Sequence, residues 1–93
     1  GNEERIRIMS SVEWDPKARE FMRKLPRGIS ERIFNKVDKE IRQNVERYLE
    51  FLVGRTNKKI RIGDYRLFVD FYKDRDLLII RIIRHRKDAY KHS

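Results

Sequence analysis

Residues 65–72 of the chain are YRLFVDFY, and residues 77–83 are LLIIRII. In the first segment apolar residues alternate with others, which is the period of a strand with one buried face. The second segment is almost continuously apolar, as in a central strand covered on both faces. Gly63-Asp64 is a two-residue turn signal, and Lys59–Ile62 precedes it, so residues 59–72 predict a β-hairpin. The C-terminal part of the chain therefore predicts three neighbouring strands.

The N-terminal part of the chain predicts one more strand and two helices. Apolar residues at even positions indicate a strand over Ile6–Trp14. Asp15-Pro16 is a helix start signal, and the helix is expected to end near Lys24. A second, long helix is predicted from an N-cap at Ser30 to Leu52, with Gly54 in the left-handed position beyond its end. A coiled-coil dimer would need the same apolar stripe, but strands on both sides need an apolar cover, so packing in the core is favoured.

These elements predict an α+β fold in one small domain, since 93 residues supply only one core. The predicted order is β-α-α-β-β-β, with an antiparallel sheet, the first strand pairing back onto it and both helices on one face. The other face is expected to be partly open. Residues 1–8 are interpreted as a tag or extension plus the start of the first strand, and residues 9–93 as the domain itself.

The composition excludes several kinds of site. The chain has no cysteine, which excludes disulfides, thiolate zinc ligands and cysteine nucleophiles. His85 and His92 lie in a cationic tail that would repel a metal ion, so neither a metal nor another cofactor is expected. Gly-x-Ser-x-Gly and phosphate-loop motifs are absent from the sequence. Since its longest apolar run is Leu77–Ile80, the chain is expected to be cytoplasmic and to have no membrane partner.

The charge of the chain is large and unevenly distributed. The net charge is +9, of which residues 1–54 contribute +2 and residues 55–93 contribute +7. Fifteen of the 24 basic residues are arginines, whose planar fork binds phosphate oxygens in pairs. A solubilising surface is the ordinary interpretation of any one of these cations. Their clustering favours a polyanionic partner, bound by the C-terminal part.

The candidate interface combines cations with aromatic rings, a pattern by which single-stranded RNA is commonly held. The basic members are Lys58, Lys59, Arg61, Arg66, Arg81, Arg84, Arg86 and Lys87. The aromatic members are Tyr65, Phe68, Tyr72 and Tyr90. Because alternate residues of a strand share a face, Arg66 is expected to point away from the helices.

Two paired motifs resemble the RelE/ParE toxin superfamily of toxin–antitoxin systems. The first is the turn Gly63-Asp64-Tyr65-Arg66, and the second is the C-terminal His85-Arg86 followed after three residues by Tyr90. The segment from Trp14-Asp15-Pro16 to Pro26 is also similar. The likeness covers about residues 9–91. It implies a toxin that cleaves messenger RNA in the ribosomal A site, and a RelB-like antitoxin that wraps it.

The resemblance also implies which residues are catalytic. The family's basic residues fall on Lys59, Arg66 and Arg84, with the terminal aromatic at Tyr90. The implied reaction is metal-independent attack of a ribose 2′-hydroxyl on the adjacent phosphate. Arg66 and Arg84 would neutralise the phosphorane, and Lys59 would act as a base or, protonated, stabilise the developing anion. Tyr90 would stack on a base or share a proton.

His85 is a further catalytic candidate, because imidazole titrates near neutral pH and some branches of the family use histidine. A hydrogen-bonded histidine at a strand end is its structural alternative. Lys58, Arg61, Arg81, Arg86 and Lys87 are predicted to bind RNA around the catalytic residues. Two other functions stay open: inhibition of DNA gyrase, as in ParE-like members, and noncatalytic RNA binding.

Overall fold

A computed structural model describes residues 9–51 and 58–89 of the chain. The strands are β1 (Ser11–Trp14), β2 (Leu49–Phe51), β3 (Lys58–Ile62), β4 (Tyr65–Tyr72) and β5 (Leu77–His85). The helices are α1 (Pro16–Lys24), α2 (Arg27–Lys39) and α3 (Val45–Tyr48), with short 3-10 helices at Ile41–Gln43 and Lys73–Arg75. The predicted start of the first strand at Ile6, the cap at Gly54 and Tyr90 lie outside the described residues.

The five strands form one sheet in the order β1-β5-β4-β3-β2. β2 to β5 are antiparallel neighbours, whereas β1 is parallel to β5. The α+β class is confirmed, but the prediction of a purely antiparallel sheet is wrong. β1 is followed by helices and not by a tight turn. The sequence around β1 therefore does not determine whether β1 runs parallel or antiparallel to β5.

The hairpin and the first helix match their sequence signals. Gly63 adopts a φ of 55° at the first turn position, where a residue without a Cβ is favoured. The Asp15 carboxylate accepts a hydrogen bond from the Lys17 backbone N–H at 3.2 Å, and Pro16 opens α1. The helix ends at Lys24, as predicted.

The long second helix predicted from Ser30 to Leu52 is wrong. The observed helix begins at Arg27 and ends at Lys39, and residues 49–51 form a strand instead. Ile41 and Val45 remain buried, so the apolar period follows the core although the helix is broken. Pairing of β2 with β3 overrides the helical preference of this segment.

The core lies between the helices and one face of the sheet. Its fully buried side chains include Ile33 and Val37 of α2, Ile60 of β3, Leu67 of β4 and Ile80 of β5. The stripe on α2 thus packs in the core, as favoured above. In β5 the buried residues Leu78, Ile80 and Ile83 are separated by half-buried ones, so this central strand is covered on one face by the described residues and not on both. No helix in the described part of the chain has the length and apolar character of a membrane span.

Candidate nucleic-acid interface

Three arginines lie side by side on the three central strands, at the end of the sheet near the hairpin turn. Arg66 of β4 is paired with Arg61 of β3 on one side and with Arg84 of β5 on the other. Directly paired residues have Cα atoms about 4.5–5.5 Å apart. We call these three residues the arginine row.

The arginine row lies on the face of the sheet that faces away from the described helices. The next residues along β4 and β5, Leu67 and Ile83, are buried in the helix-covered core. Successive side chains of a strand point to opposite faces, so Arg66 and Arg84 share the other one. This open face is where the sequence predicts Arg66 to point.

Arg66 is held in place by its own hairpin. Its Nη1 donates hydrogen bonds to the backbone carbonyls of Gly63 at 2.9 Å and Tyr65 at 3.0 Å. In the part of the chain that the structure describes, these bonds engage Nη1 alone of the three guanidinium nitrogens. A guanidinium has five N–H donors, so Nε and Nη2 keep the fork that binds two phosphate oxygens.

Lys59 lies on the same open face, one row from the arginines. It pairs with Phe68 of β4, and its side chain is only 12% exposed. Its ammonium Nζ is 3.6 Å from Oε1 of Glu50, whose other oxygen is 3.8 Å from Nε of Arg61. Glu50 therefore ties one end of the arginine row to the lysine.

Two apolar side chains, Phe68 and Ile82, lie beside the arginine row. Phe68 is paired with Lys59 on β3 and with Ile82 on β5, and both Phe68 and Ile82 are half-buried. A flat ring next to cations is the arrangement on which an unpaired base stacks while its phosphate binds the cations.

At the hairpin end of the open face, the positive charges of β4 and β5 are not balanced by carboxylates of the described residues. Among residues 9–51 and 58–89, neither Arg66 nor Arg84 has an ion pair with a carboxylate. Like charges directly opposite on paired strands destabilise a sheet, by up to about 1 kcal/mol. Two guanidinium groups in this position form a site that an anion would stabilise.

Arg81, in contrast, is paired with two carboxylates. Its Nε donates to Oδ2 of Asp70 at 2.7 Å, and its Nη1 donates to Oδ2 of Asp15 at 3.2 Å. The Asp70 hydrogen bond, followed by that of Asp15, raises the pKa of Arg81 above its ordinary value. The structure does not bring this predicted RNA-binding residue into the arginine row.

The other predicted RNA-binding residues lie around the row or away from it. Arg86 pairs with Asp64 of the hairpin turn, Nε to Oδ1 at 3.1 Å, on the exposed end of the sheet. The Lys87 backbone N–H donates to Nδ1 of His85 at 3.1 Å. Lys58 is paired with the buried Val69, and its Nζ lies 5.4 Å from the Phe51 ring centre, so it belongs to the helix side.

His85 also lies on the helix side of the sheet. It is paired with Tyr65, and the two rings meet edge to face with centres 5.3 Å apart. Tyr65 in turn contacts Phe21 of α1, with ring centres 6.2 Å apart. The structure therefore joins Lys59, Arg66 and Arg84 on one face but does not join His85 to them. Tyr90 lies outside the described residues.

Sequence reasoning missed Glu50, Asp70 and Asp15 as partners of the cations. Glu50 falls within the long helix that the sequence predicts, because the apolar period continues to Leu52. The three-residue alternation Leu49-Glu50-Phe51 is too short a signal for a strand. Among residues 9–51 and 58–89, no group of three or more histidine, aspartate or glutamate side chains could hold a metal ion.

A family model for the ParE toxin of type II toxin–antitoxin systems, parDE, matches residues 12–90 of the chain. The chain belongs to this family. The resemblance to the RelE/ParE superfamily predicted from the sequence is thus confirmed. No curated protein matches this ParE-family chain significantly in sequence.

Solved structures of RelE toxins share the fold of this ParE-family protein. The toxin–antitoxin complex RelBE2 of Mycobacterium tuberculosis gives a TM-score of 0.76 at 21% identity, covering 84% of this chain and 99% of that chain. The RelB–RelE complex of Methanococcus jannaschii gives 0.65 at 21% identity, covering 88% and 99%. The intact E. coli RelBE complex gives 0.63 at 19% identity, covering 82% and 95%. At sequence identities this low, the structural similarity shows a common fold and nothing beyond it.

Proposed function

We propose that this type II toxin is an endoribonuclease that cleaves messenger RNA in the ribosomal A site and so inhibits translation. The observation that carries the proposal is the pairing of Arg66 with Arg84 on the open face, with no carboxylate partner for either among the described residues. The repulsion between the two arginines does not stabilise the fold. The same pair provides guanidinium donors on both sides of one phosphate.

The reaction is an internal transfer at one phosphate. The ribose 2′-oxygen forms a bond to phosphorus, and the bond from phosphorus to the 5′-oxygen breaks, leaving a 2′,3′-cyclic phosphate and a 5′-hydroxyl. Charge builds up on the nonbridging oxygens as the phosphorane forms. Arg66 and Arg84 bind these oxygens and remain charged throughout, so no metal ion is needed for this stabilisation.

Proton transfer is assigned to Lys59, which shares the open face with the two arginines. In this proposal the neutral amine of Lys59 takes the proton from the 2′-hydroxyl, and Glu50 stabilises the resulting ammonium through its 3.6 Å contact. His85 is on the opposite face, which favours its structural role as the partner of Tyr65. The resemblance implies that Tyr90 stacks on a base or shares a proton, and in this proposal it gives the proton to the leaving 5′-oxygen.

The partner of the toxin is proposed to be an antitoxin of the RelB type, since the three structural relatives described above are toxin–antitoxin complexes. An acidic segment of such a protein would complement the arginine row. The apolar stripe of α2 is buried in the core, so it is not available to anchor an antitoxin. Phe34 is exposed beside Trp14, with ring centres 6.0 Å apart, and offers an apolar contact between α1 and α2.

The proposal is tested by mapping messenger cleavage on translating ribosomes with the native chain, Arg66→Ala and Arg84→Ala. We expect cuts within the A-site codon for the native chain and their loss in both variants. Arg27→Ala is the matched control, because it removes an exposed arginine of α2, a helix on the opposite side of the sheet from the row. Intact messenger RNA with the native chain would contradict the proposal.

Inhibition of DNA gyrase is the second candidate, because the matching family model is that of ParE toxins. A supercoiling assay with purified gyrase separates the two. Loss of supercoiling with intact messenger RNA would select gyrase. RNA binding that weakens steeply with salt, with neither cleavage nor loss of supercoiling, would select a noncatalytic binding module.

A further inference from the structure

The pairing of β4 with β5 contains one extra residue. Val69 is paired with Ile80, but the preceding residue Phe68 is paired with Ile82. Arg81 is therefore the residue of β5 that has no partner on β4. This is a β-bulge, in which two residues of one strand oppose one residue of its neighbour.

The bulge decides which face of the sheet Arg84 occupies. If the pairing of Val69 with Ile80 continued without an extra residue, Arg66 would oppose Ile83 and Tyr65 would oppose Arg84. A shift of one residue moves every following side chain to the other face. Without the bulge Arg84 would lie on the helix side, away from Arg66.

Burial along β5 agrees with this change of face. Leu78 and Ile80 are fully buried before the bulge, and Ile83 is the buried residue after it. The interval between buried residues is thus two before Arg81 and three across it. Ile82 and Arg84 are consequently directed to the open face.

Two carboxylates hold the bulged residue. Asp70 of β4 and Asp15 at the start of α1 both accept hydrogen bonds from the Arg81 guanidinium. Asp15 is itself fixed, because its other oxygen caps α1 and its backbone N–H donates to the Ile80 carbonyl at 2.8 Å. The bulge lies where β1 ends, since the β1 pairing with β5 stops at Ile80.

We infer that Arg81, held by Asp70 and Asp15, is a positioning residue that sets the register of residues 82–85 and so places Arg84 opposite Arg66. We call these three residues the Arg81 clamp. Its effect on RNA cleavage rests on the function proposed above, whereas its effect on strand register does not.

The clamp and direct RNA binding by Arg81 predict opposite results for Asp70→Asn. If Arg81 bound phosphate, removing a neighbouring negative charge would strengthen RNA binding. If Arg81 works as a clamp, Asp70→Asn weakens the hold on the bulge and lowers cleavage. In that case Asp70→Asn and Arg81→Ala both lower the cleavage rate.

The experiment measures register and activity in the full chain for Arg81→Ala, Arg81→Lys, Asp70→Asn and the control Arg27→Ala. Register is read from cross-strand NMR contacts between Arg66 and Arg84 and from hydrogen exchange of the amides of residues 82–85. We expect faster exchange there, with Leu78–Ile80 still protected, in Arg81→Ala and Asp70→Asn. Arg81→Lys restores one contact and should partly rescue both readouts.

For activity we expect kcat to fall at least about 100-fold in Arg81→Ala with little change in KM, because a misplacement of a catalytic group by only about 1 Å can cost that much. Intact Arg66–Arg84 contacts with native exchange in Arg81→Ala would overturn the inference. So would tighter RNA binding by Asp70→Asn. If the native chain does not cleave RNA at all, the proposed function fails, and the register readouts still decide the role of Arg81.

Discussion

Two parts of the open face use arginine in opposite ways. At the hairpin end, Arg66 and Arg84 lie opposite each other, and neither has a carboxylate partner among the described residues. Further along β5, Arg81 is held by two carboxylates. Since all three side chains carry the same charge, their partners rather than their residue type distinguish them.

The difference separates a structural cation from a binding one. A guanidinium with two hydrogen-bonded carboxylates has its charge balanced and its geometry fixed, so it stabilises the fold. Two opposed guanidinium groups repel each other and are stabilised by an added anion. The same sheet thus contains one cation that fixes the geometry of the bulge and a pair of cations that an anionic ligand would stabilise.

The largest expected effect is on the repelling pair. Arg84→Ala should lower the cleavage rate by about 1,000-fold, because one of two donors to the phosphorane is lost. The double variant Arg66→Ala/Arg84→Ala should cost little more than either single one, since the pair acts as a unit. Single-turnover kinetics on translating ribosomes measure both.

The same Arg84→Ala variant should leave the free energy of unfolding unchanged or raise it slightly, because it removes a like-charge contact. Urea unfolding measures this. A loss of several kcal/mol would mean that Arg84 stabilises the fold, and the contrast with Arg81 would fail.

Lys59 should give the next largest effect. Lys59→Ala is expected to slow cleavage about 100-fold if the lysine transfers a proton. Lys59→Arg keeps a cation beside Glu50, but arginine is always protonated and cannot accept the proton of the 2′-hydroxyl, so it should not restore the rate. Native activity in Lys59→Arg would reduce Lys59 to an electrostatic role.

A carboxylate introduced beside the arginine row should make it resemble the Arg81 clamp. Ile82 precedes Arg84 by two residues on the same face, so Ile82→Glu would place a negative charge next to the pair. We expect RNA affinity to fall about tenfold, as for two new ion pairs. Ile82→Gln is the matched control, and equal losses in both would show that the apolar contact rather than the charge matters.

The smallest expected effect is on His85. Its ring packs on Tyr65 on the helix side, so His85→Ala should change the cleavage rate by less than about threefold. Thermal unfolding should show a modest loss of stability, since an aromatic contact is removed. A rate loss comparable with that of Lys59→Ala would place His85 in the chemistry and contradict the division between the faces.

Much of the fold was predictable because local patterns set it. The hairpin at Gly63-Asp64, the start of α1 at Asp15-Pro16 and the burial of Ile33 and Val37 all follow from the sequence. The long helix was not correctly bounded, because the apolar period of Ile41 and Val45 persists across a break in the backbone. The parallel direction of β1 depends on pairing between residues more than sixty positions apart, for which no local signal exists.

The candidate site shows the same division. Counting alternate residues from the hairpin turn is enough to place Lys59, Arg61 and Arg66 on one face. The same counting from Leu78 and Ile80 would place Arg84 on the core side of the sheet. The local sequence pattern does not indicate the extra residue at Arg81. Its place opposite Arg66 arises from the bulge, which depends on Asp15 and Asp70 from distant parts of the chain. Periodicity is a property of neighbours in sequence, whereas register is set by hydrogen bonds and ion pairs between strands that meet only when the chain has folded.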